Sequence, residues 1–259
     1  MYPTSLRQRW SAGATTLGAW MALREPLLAE VAGLAGFDYV VIDMQHGLAG
    51  DAEAIAMVSA LARTPAVPLV RVPSNEPGVI GRVIDAGDLG VIVPLVNTAD
   101  EAERAVAACR FPPVGARSSG PLVPRVRHGL GYQAEINDVV SCILMIETRE
   151  AVENVEEILA VAGIDAVYIG PNDLSLSYGL SPSVDNEGDP FNSALARVVA
   201  SCATHGIVPG IHANASLAAK RHAAGFRMIT VGFDAAPAIA ALHADVAAAR
   251  AAVSRNANE

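Results

Sequence analysis

The stretch SCILMIETREAVENVEEILAVAGIDAVYIGPNDLS (141–175) holds two short apolar runs separated by one amphipathic segment. SCILMIE (141–147) and AVYIG (166–170) are rich in Ile, Val, Leu or aromatic residues and are followed by loop or helix-start residues. That is the pattern of a buried parallel strand. REAVENVEEILAVAG (149–163) has helical periodicity and is stopped by Gly163. Strand, helix and strand in this order make a βαβ unit. A carboxylate follows each strand: Glu147 closes the first run, and Asp173 follows the second in GPNDLS. Strands of one parallel sheet would deliver both acids to its C-terminal edge, where α/β proteins place their chemistry. With no Cys or His beside them in sequence, two converging acids suit a hard divalent cation held by oxygen ligands.

The rest of the chain repeats the alternation. Strand-like runs lie at 15–21, 37–43, 68–72, 90–96, 207–212 and 228–232, and helical patterns at 26–36, 51–63, 76–87, 98–110, 191–206, 215–225 and 235–253. Thr98 with Glu101 three residues on reads as a helix cap, and Gly36, Gly87, Gly163, Gly206 and Gly225 read as helix stops. Eight strands alternating with eight helices, without a linker of domain-boundary character, point to a single (β/α)8 barrel domain over residues 1–259. A doubly wound open sheet is the alternative, because periodicity does not fix closure. Two connections are long, 111–140 and 173–190. Loops of such length in a compact domain are commonly functional or partner-contacting. The Ala-rich last helix fits either a plain terminal helix or one packed on another subunit.

Composition narrows the function classes. Apolar residues make up 52% of the chain and charged residues 17%, enough for one large core with a sparingly charged surface. A formal charge of −9 argues against a nucleic-acid or anionic-membrane partner, and the basic residues are dispersed apart from Arg117, Arg125, Arg127 and His128. Cys109, Cys142 and Cys202 are odd in number and lack metal-ligand spacing, so they are expected as buried free thiols in a reducing compartment. MYPTSLRQRW (1–10) lacks the apolar core of a signal peptide, and no uninterrupted apolar stretch reaches membrane-spanning length. A cytoplasmic protein is the expectation.

The C-terminal ends of the strand-like runs collect Trp20, Asp43 with Gln45 and His46, Arg71, Glu147, Asp173 and His212. The opposite ends offer turn residues such as Asp38 and Asp165. Taken singly, Glu147 also fits a strand-end acid paired with an Arg, and Asp173 fits a helix N-cap. As a pair on neighbouring strands, they read better as metal ligands. Asp43 lies three residues before His46, a spacing at which a carboxylate can orient an imidazole and raise its basicity. Arg71, ending an apolar strand, keeps its charge and must face a carboxylate or an anionic ligand. The chain has one lysine, Lys220, in a helix. A Schiff-base mechanism, which needs a lysine amine in the site, is therefore close to excluded. A metal, an arginine and a His–Asp pair suit stabilisation of an enolate formed from a 2-oxo acid.

The segments GAW (18–20), EVAGLAGFDYVVIDMQHG (30–47), VRVP (70–73), VIVPLVNTADEA (91–102), FPPVGARSSGP (111–121) and MIETREAVENVEEILAVAGIDAVYIGPNDLSLSYG (145–179) occur in one order along most of the chain. In that order they resemble the metal-dependent class II pyruvate aldolases, which include 4-hydroxy-2-oxoheptanedioate aldolase and 2-dehydro-3-deoxyglucarate aldolase. The resemblance implies a barrel of the phosphoenolpyruvate/pyruvate type that swaps its last helix between subunits and assembles as a hexamer, a trimer of dimers. It also implies that Glu147 and Asp173 hold Mg²⁺, Mn²⁺ or Co²⁺, and that Arg71 lies on the oxygen that becomes enolate. His46 with Asp43 would be the acid/base pair, and the backbone at Gly170 and Pro171 would approach the pyruvate carboxylate. Trp20 would wall the pocket, and Asp85 would sit near a subunit contact and reach a neighbouring site. Gln45 and Met145 depart from the family pattern, where Glu often precedes the histidine and Gln lies two residues before the metal Glu. His212 is a third departure, placed either to touch the acceptor aldehyde or as a loop histidine without a ligand role.

The reaction implied is reversible cleavage of a 4-hydroxy-2-oxo acid to pyruvate and an aldehyde. Two other classes fit the same residues: an acyl-CoA lyase similar to the citrate and malyl-CoA lyases, with Arg117, Arg125 and Arg127 meeting CoA phosphates, and a non-catalytic oligomer that binds a 2-oxo acid.

Overall fold

Eight parallel strands close in sequence order in the computed structural model, which describes residues 5–129 and 131–256. The domain expected over 1–259 thus includes residues 1–4, 130 and 257–259 that lie outside the described ones, the start of the polar N-terminal stretch among them. The strands are β1 (Thr16–Met21), β2 (Tyr39–Asp43), β3 (Val67–Arg71), β4 (Gly90–Val93), β5 (Ser141–Met145), β6 (Ala166–Ile169), β7 (Val208–His212) and β8 (Met228–Phe233). β1 pairs with β8 across an irregularity between Gly18 and Ala19. That pairing closes the barrel and rules out the open doubly wound sheet. β2 to β6 are buried along their whole length, as strands covered on one face by barrel interior and on the other by helices must be.

The helices are α1 (Leu6–Ser11), α2 (Pro26–Leu34), α3 (Asp51–Leu61), α4 (Pro77–Asp85), α5 (Ala99–Cys109), α6 (Leu122–His128), α7 (Tyr132–Glu135), α8 (Arg149–Glu153), α9 (Val155–Leu159), α10 (Pro171–Ser177), α11 (Asp189–His205), α12 (Ala218–Ala223) and α13 (Ala235–Asn256). The expected cap on α5 is present: Thr98 Oγ1 accepts from the Glu101 N–H, and Glu101 reaches back to the Thr98 N–H. The five expected stop glycines follow their helices with positive φ. The helix expected over 149–163 is two, broken at Asn154, whose amide side chain donates to the carbonyl of Asn97. The long connections are more ordered than their composition suggests. The first holds α6 and α7, and the second begins inside α10. The fourth strand stops at Val93 rather than 96, because Pro94 has no N–H for the ladder and Leu95 turns to φ 54°.

Register, more than proximity in sequence, assembles the C-terminal edge. Asp43 stands directly across from Arg71, Met145 from Tyr168, Tyr168 from Gly210, His212 from Thr230, and Trp20 from Phe233. A Cβ on Gly210 would lie 3.0 Å from the Tyr168 ring and 2.8 Å from the Val167 carbonyl, so glycine there lets the ring cross the barrel. At the other edge, Asp165 accepts from Arg110 at 2.8 Å and from the Cys142 N–H at 2.8 Å, and Asp38 pairs with Arg9. The acids expected as turn residues are therefore structural anchors. All three cysteines are buried free thiols, as expected.

α13 leaves the barrel after β8 and is exposed over residues 236–255. Its larger apolar residues, Ile239, Leu242, Val246 and Val253, with Ala249 between the last two, recur at alternating steps of three and four. They form one stripe, while His243, Asp245 and Arg250 lie off it. α2 carries a second bare stripe of Leu27, Val31 and Leu34, each more than half exposed.

Candidate active site

Glu147 lies two residues beyond β5 and is 1% exposed. Its Oε1 accepts a 3.0 Å hydrogen bond from the N–H of Leu95, the residue in the left-handed region. A non-glycine residue held at such φ costs about 1–3 kcal/mol. Here the bend aims a backbone donor at the carboxylate. Oε2 is buried without a hydrogen-bond partner among the described residues. A Cβ on Gly170 would lie 2.4 Å from that oxygen, so the space it occupies exists only because residue 170 is glycine. Burial pushes the Glu147 carboxyl up to about 7; the Leu95 N–H opposes the rise, Asp173 adds to it, and Arg71 opposes it. Asp173 is exposed and sits in the first turn of α10, after Pro171. The N-cap of that helix is Gly170, so Asp173 is not the cap. Among the described residues neither acid forms an ion pair, and neither single-residue reading accounts for them.

Arg71 and Asp43 form a buried fork. Arg71 Nε donates to Asp43 Oδ1 at 2.9 Å and Nη2 to Oδ2 at 2.5 Å. The register makes this pair, since the two residues are direct partners across β2 and β3. Trp20 Nε1 donates to the same Oδ2 at 3.1 Å, and the guanidinium lies 4.9 Å from the Trp20 ring centre. These contacts hold the Asp43 carboxyl below the usual range despite its burial. Arg71 Nη1 has no partner among the described residues and is open to the cavity.

The Asp43–His46 spacing does not make the expected side-chain pair. Asp43 does not orient the His46 imidazole: it accepts from the backbone N–H groups of Gln45 at 3.0 Å and His46 at 3.3 Å. Its remaining capacity goes to Arg71 and Trp20, so it shapes the loop that carries His46 and anchors the arginine. His46 itself is exposed and lines the cavity. The departure residue Gln45 has a buried Oε1 without a partner among the described residues.

A cavity of about 390 Å³ gathers Trp20, Asp43, His46, Arg71, Met145, Gly170, Pro171, Asp173 and His212 from the sequence-derived set. Glu147 is not in that lining but stands behind it, with its Oε2 against Gly170. Asp85 is not among them either. It pairs with the buried Arg117 at 2.5 Å in a separate groove between α4 and α5. Lys220 lies on α12 and pairs with Asp185 at 2.7 Å. Sequence reasoning missed Leu95, Tyr168, Asn172, Val184 and Phe233. Only the first left a trace, in the Pro94 that interrupts its strand.

Among the described residues, groups of three or more His, Cys, Asp and Glu able to hold a metal ion are absent. The donor set is two carboxylates. The bare buried Oε2 of Glu147, facing the negative field of Asp173, requires a positive partner when ionised. A hard dication that takes further ligands from water and substrate oxygens fits this pair.

A family model described as HpcH/HpaI aldolase/citrate lyase matches residues 16–241. The chain is 40% identical over 247 residues to a hydroxypyruvate/pyruvate aldolase of Rhizorhabdus wittichii, covering 95% of this chain and 98% of that one. It is 34% identical over 240 residues to a 5-keto-4-deoxy-D-glucarate aldolase of Shigella dysenteriae, covering 90% and 92%. A solved HpcH/HpaI aldolase/citrate lyase family protein from Burkholderia cenocepacia superposes with a TM-score of 0.87 at 32% identity, over 95% of this chain and 98% of that one.

Proposed function

This chain belongs to the HpcH/HpaI aldolase/citrate lyase family, and from that premise we propose that it catalyses reversible cleavage of a 4-hydroxy-2-oxo acid to pyruvate and an aldehyde. The observation that carries the reading is a buried carboxylate whose bare oxygen lies directly behind Gly170, in the wall of the cavity lined by Asp173 and by Arg71 with its open Nη1. Glu147 and Asp173 would hold a divalent cation, Mg²⁺, Mn²⁺ or Co²⁺, which when bound supplies Lewis-acid polarisation of the 2-oxo acid. Arg71 offers its open N–H groups to the oxygen that gains charge as the enolate forms. Its fork to Asp43 fixes where those groups point, so little reorganisation is needed during the reaction. His46, at the rim, takes the proton of the 4-hydroxyl as the C–C bond breaks to aldehyde and enolate, and protonation of the enolate carbon then gives pyruvate; the aldol direction runs the same proton transfers in reverse. Trp20 walls the site, and the backbone at Gly170 and Pro171 leaves room for the pyruvate carboxylate. The lone lysine is outside the cavity, which leaves no amine for a Schiff base.

The acyl-CoA reading loses one of its three arginines, since Arg125 and Arg127 are exposed but Arg117 is not. Arg117 is 5% exposed, bound to Asp85, and packed 4.4 Å from the Phe111 ring centre, so it is not free to meet a phosphate. The test of the aldol reading is pyruvate release from a 4-hydroxy-2-oxo acid. Chelator should remove the activity and added divalent metal restore it. Undiminished release in chelator contradicts the reading.

The bare stripes favour an assembly in which α13 swaps onto another subunit, within a hexamer built as a trimer of dimers. α13 is long and apolar enough by length and composition to cross a membrane, with mean hydropathy 1.2 over its most apolar window. Its one-sided stripe, with charges off it, suits a protein groove better than surrounding lipid. Leu242→Asp combined with Val246→Asp should lower the mass measured by light scattering to half or less; an unchanged mass contradicts the swap. The acidic charge and free thiols favour a cytoplasmic site. In that assembly Asp85, paired with Arg117 in the groove between α4 and α5, would reach a neighbouring subunit's site.

A further inference from the structure

The part of the cavity wall carried by β6, β7 and β8 contains a chain of hydrogen bonds that the reaction above does not use. Tyr168 Oη donates to Thr230 Oγ1 at 2.6 Å, and Tyr39 Oη meets the same Oγ1 at 3.0 Å. His212 Nδ1 lies 3.3 Å from Tyr168 Oη. The register builds the cluster, since His212 and Thr230 are direct partners and Tyr168 lies across Gly210 on the same strand as His212. Tyr39, Tyr168 and Thr230 are fully buried, so the chain ends inside the barrel with no route to water. It fixes a geometry and does not conduct protons.

The phenol has one proton, and that proton is given to Thr230. The contact with His212 therefore requires Nδ1 to carry hydrogen and donate. Burial, with the charge of Arg71, pulls the His212 ring down to about 4, so it holds a single proton at neutral pH. Nε2 is left as a bare lone pair. It has no partner among the described residues and belongs to a ring that lines the cavity. The ring cannot easily turn to find one: Trp20 packs against it at 5.3 Å and Phe233 at 6.4 Å, both edge-on. The carbonyl and carboxylate oxygens of a 2-oxo acid or an aldehyde only accept hydrogen bonds. A bare acceptor fixed on the wall is matched only by a substrate group that donates.

We propose that His212 Nε2 accepts a hydrogen bond from a hydroxyl on the carbon next to a substrate carbonyl, so that the site selects α-hydroxycarbonyl compounds over their deoxy counterparts. The inference rests on the aldol reading and assigns the substrate class of that site. The hydroxyl has two sources, the acceptor aldehyde or the 2-oxo acid that becomes the enolate. Both present the same chemistry, and the leaving of an acceptor unpaired when the hydroxyl is missing is what produces discrimination.

The test measures kcat/KM for four pairings, pyruvate or hydroxypyruvate with glycolaldehyde or acetaldehyde, in wild type, His212→Phe and His212→Gln. Phe keeps a ring and removes the acceptor, whereas Gln keeps an acceptor oxygen. The hydroxy-to-deoxy ratio should fall at least about 10-fold in His212→Phe, and less in His212→Gln. A fall along the aldehyde comparison assigns the hydroxyl to the acceptor; a fall along the 2-oxo-acid comparison assigns it to the nucleophile. Equal losses in all four pairings would overturn the inference, because His212 would then act on the reacting groups or on the fold. ¹⁵N NMR of the histidines supplies a readout independent of turnover. The resonance lost in His212→Phe should show a protonated Nδ1 and a bare Nε2 in the wild type, and Tyr168→Phe should change that tautomer. A wild-type ring protonated at Nε2 overturns the inference whatever the kinetics. A wild type inert with all four pairings would instead overturn the aldol reading, while an active enzyme with an unmoved ratio overturns this inference alone.

Discussion

Glu147→Gln should lower turnover by about 10³-fold or more while leaving a folded protein, a larger loss than the 10- to 100-fold of removing a group that only supports a ligand. The amide keeps the volume and can still accept from the Leu95 N–H. It loses the charge that a dication needs. The same variant should change how the metal-free protein responds to pH. Because the folded-state pKa of Glu147 is raised from 4.5 to about 7, the native state binds more protons than the unfolded chain between those values. Stability from this group is therefore fully present below about pH 4.5 and is lost as pH rises to about 7, on the order of 3 kcal/mol in all. Urea denaturation in chelator should show that decline in wild type and a flatter profile in Glu147→Gln. Identical slopes in the two proteins would mean that the carboxylate is not held as described.

Arg71→Lys should reduce kcat by about 10²- to 10³-fold, with a smaller change in KM, because the loss falls on charge that develops during the reaction. Lysine keeps the positive charge but cannot make the two-pronged contact that locks Arg71 to Asp43 Oδ1 and Oδ2. Its ammonium must either stay with Asp43 or turn to the substrate, and the fixed direction is lost. Arg71→Ala should in addition destabilise the fold by about 3–5 kcal/mol, since it leaves Asp43 charged and buried with only Trp20 and backbone donors. Steady-state kinetics of the lysine variant and denaturation of the alanine variant separate the two effects. A kcat for Arg71→Lys within threefold of wild type would remove Arg71 from the chemistry.

The barrel is legible in the sequence because its signals are periodic. Runs such as 141–147 and 166–170, each with a helical segment behind it, leave little choice but a parallel sheet with its acids at one edge. Glu147, Asp173, His46, Arg71 and Trp20 could be picked out because each is a polar or bulky residue at a strand end. What escaped was set by geometry that sequence does not encode locally. Spacing points Asp43 at His46, yet strand register puts it against Arg71, and a carboxylate with two oxygens cannot serve every neighbour. Leu95 acts through its backbone, so its side chain gave no sign. Tyr168 hides within an apolar run as a core aromatic, and only the packing of β6 against β7 reveals that its hydroxyl meets His212. The helices α6 and α7 lie in a segment whose Pro and Gly content disguises them.

Deuterium incorporation into the methyl group of pyruvate, followed by ¹H NMR, isolates enolate formation from the choice of aldehyde. With divalent metal the wild-type protein should exchange the methyl protons, and neither chelator-treated wild type nor Glu147→Gln should do so above the uncatalysed rate. Exchange at the wild-type rate in chelator, or in Glu147→Gln, would contradict the assignment of Glu147 and Asp173 to an enolate-stabilising metal.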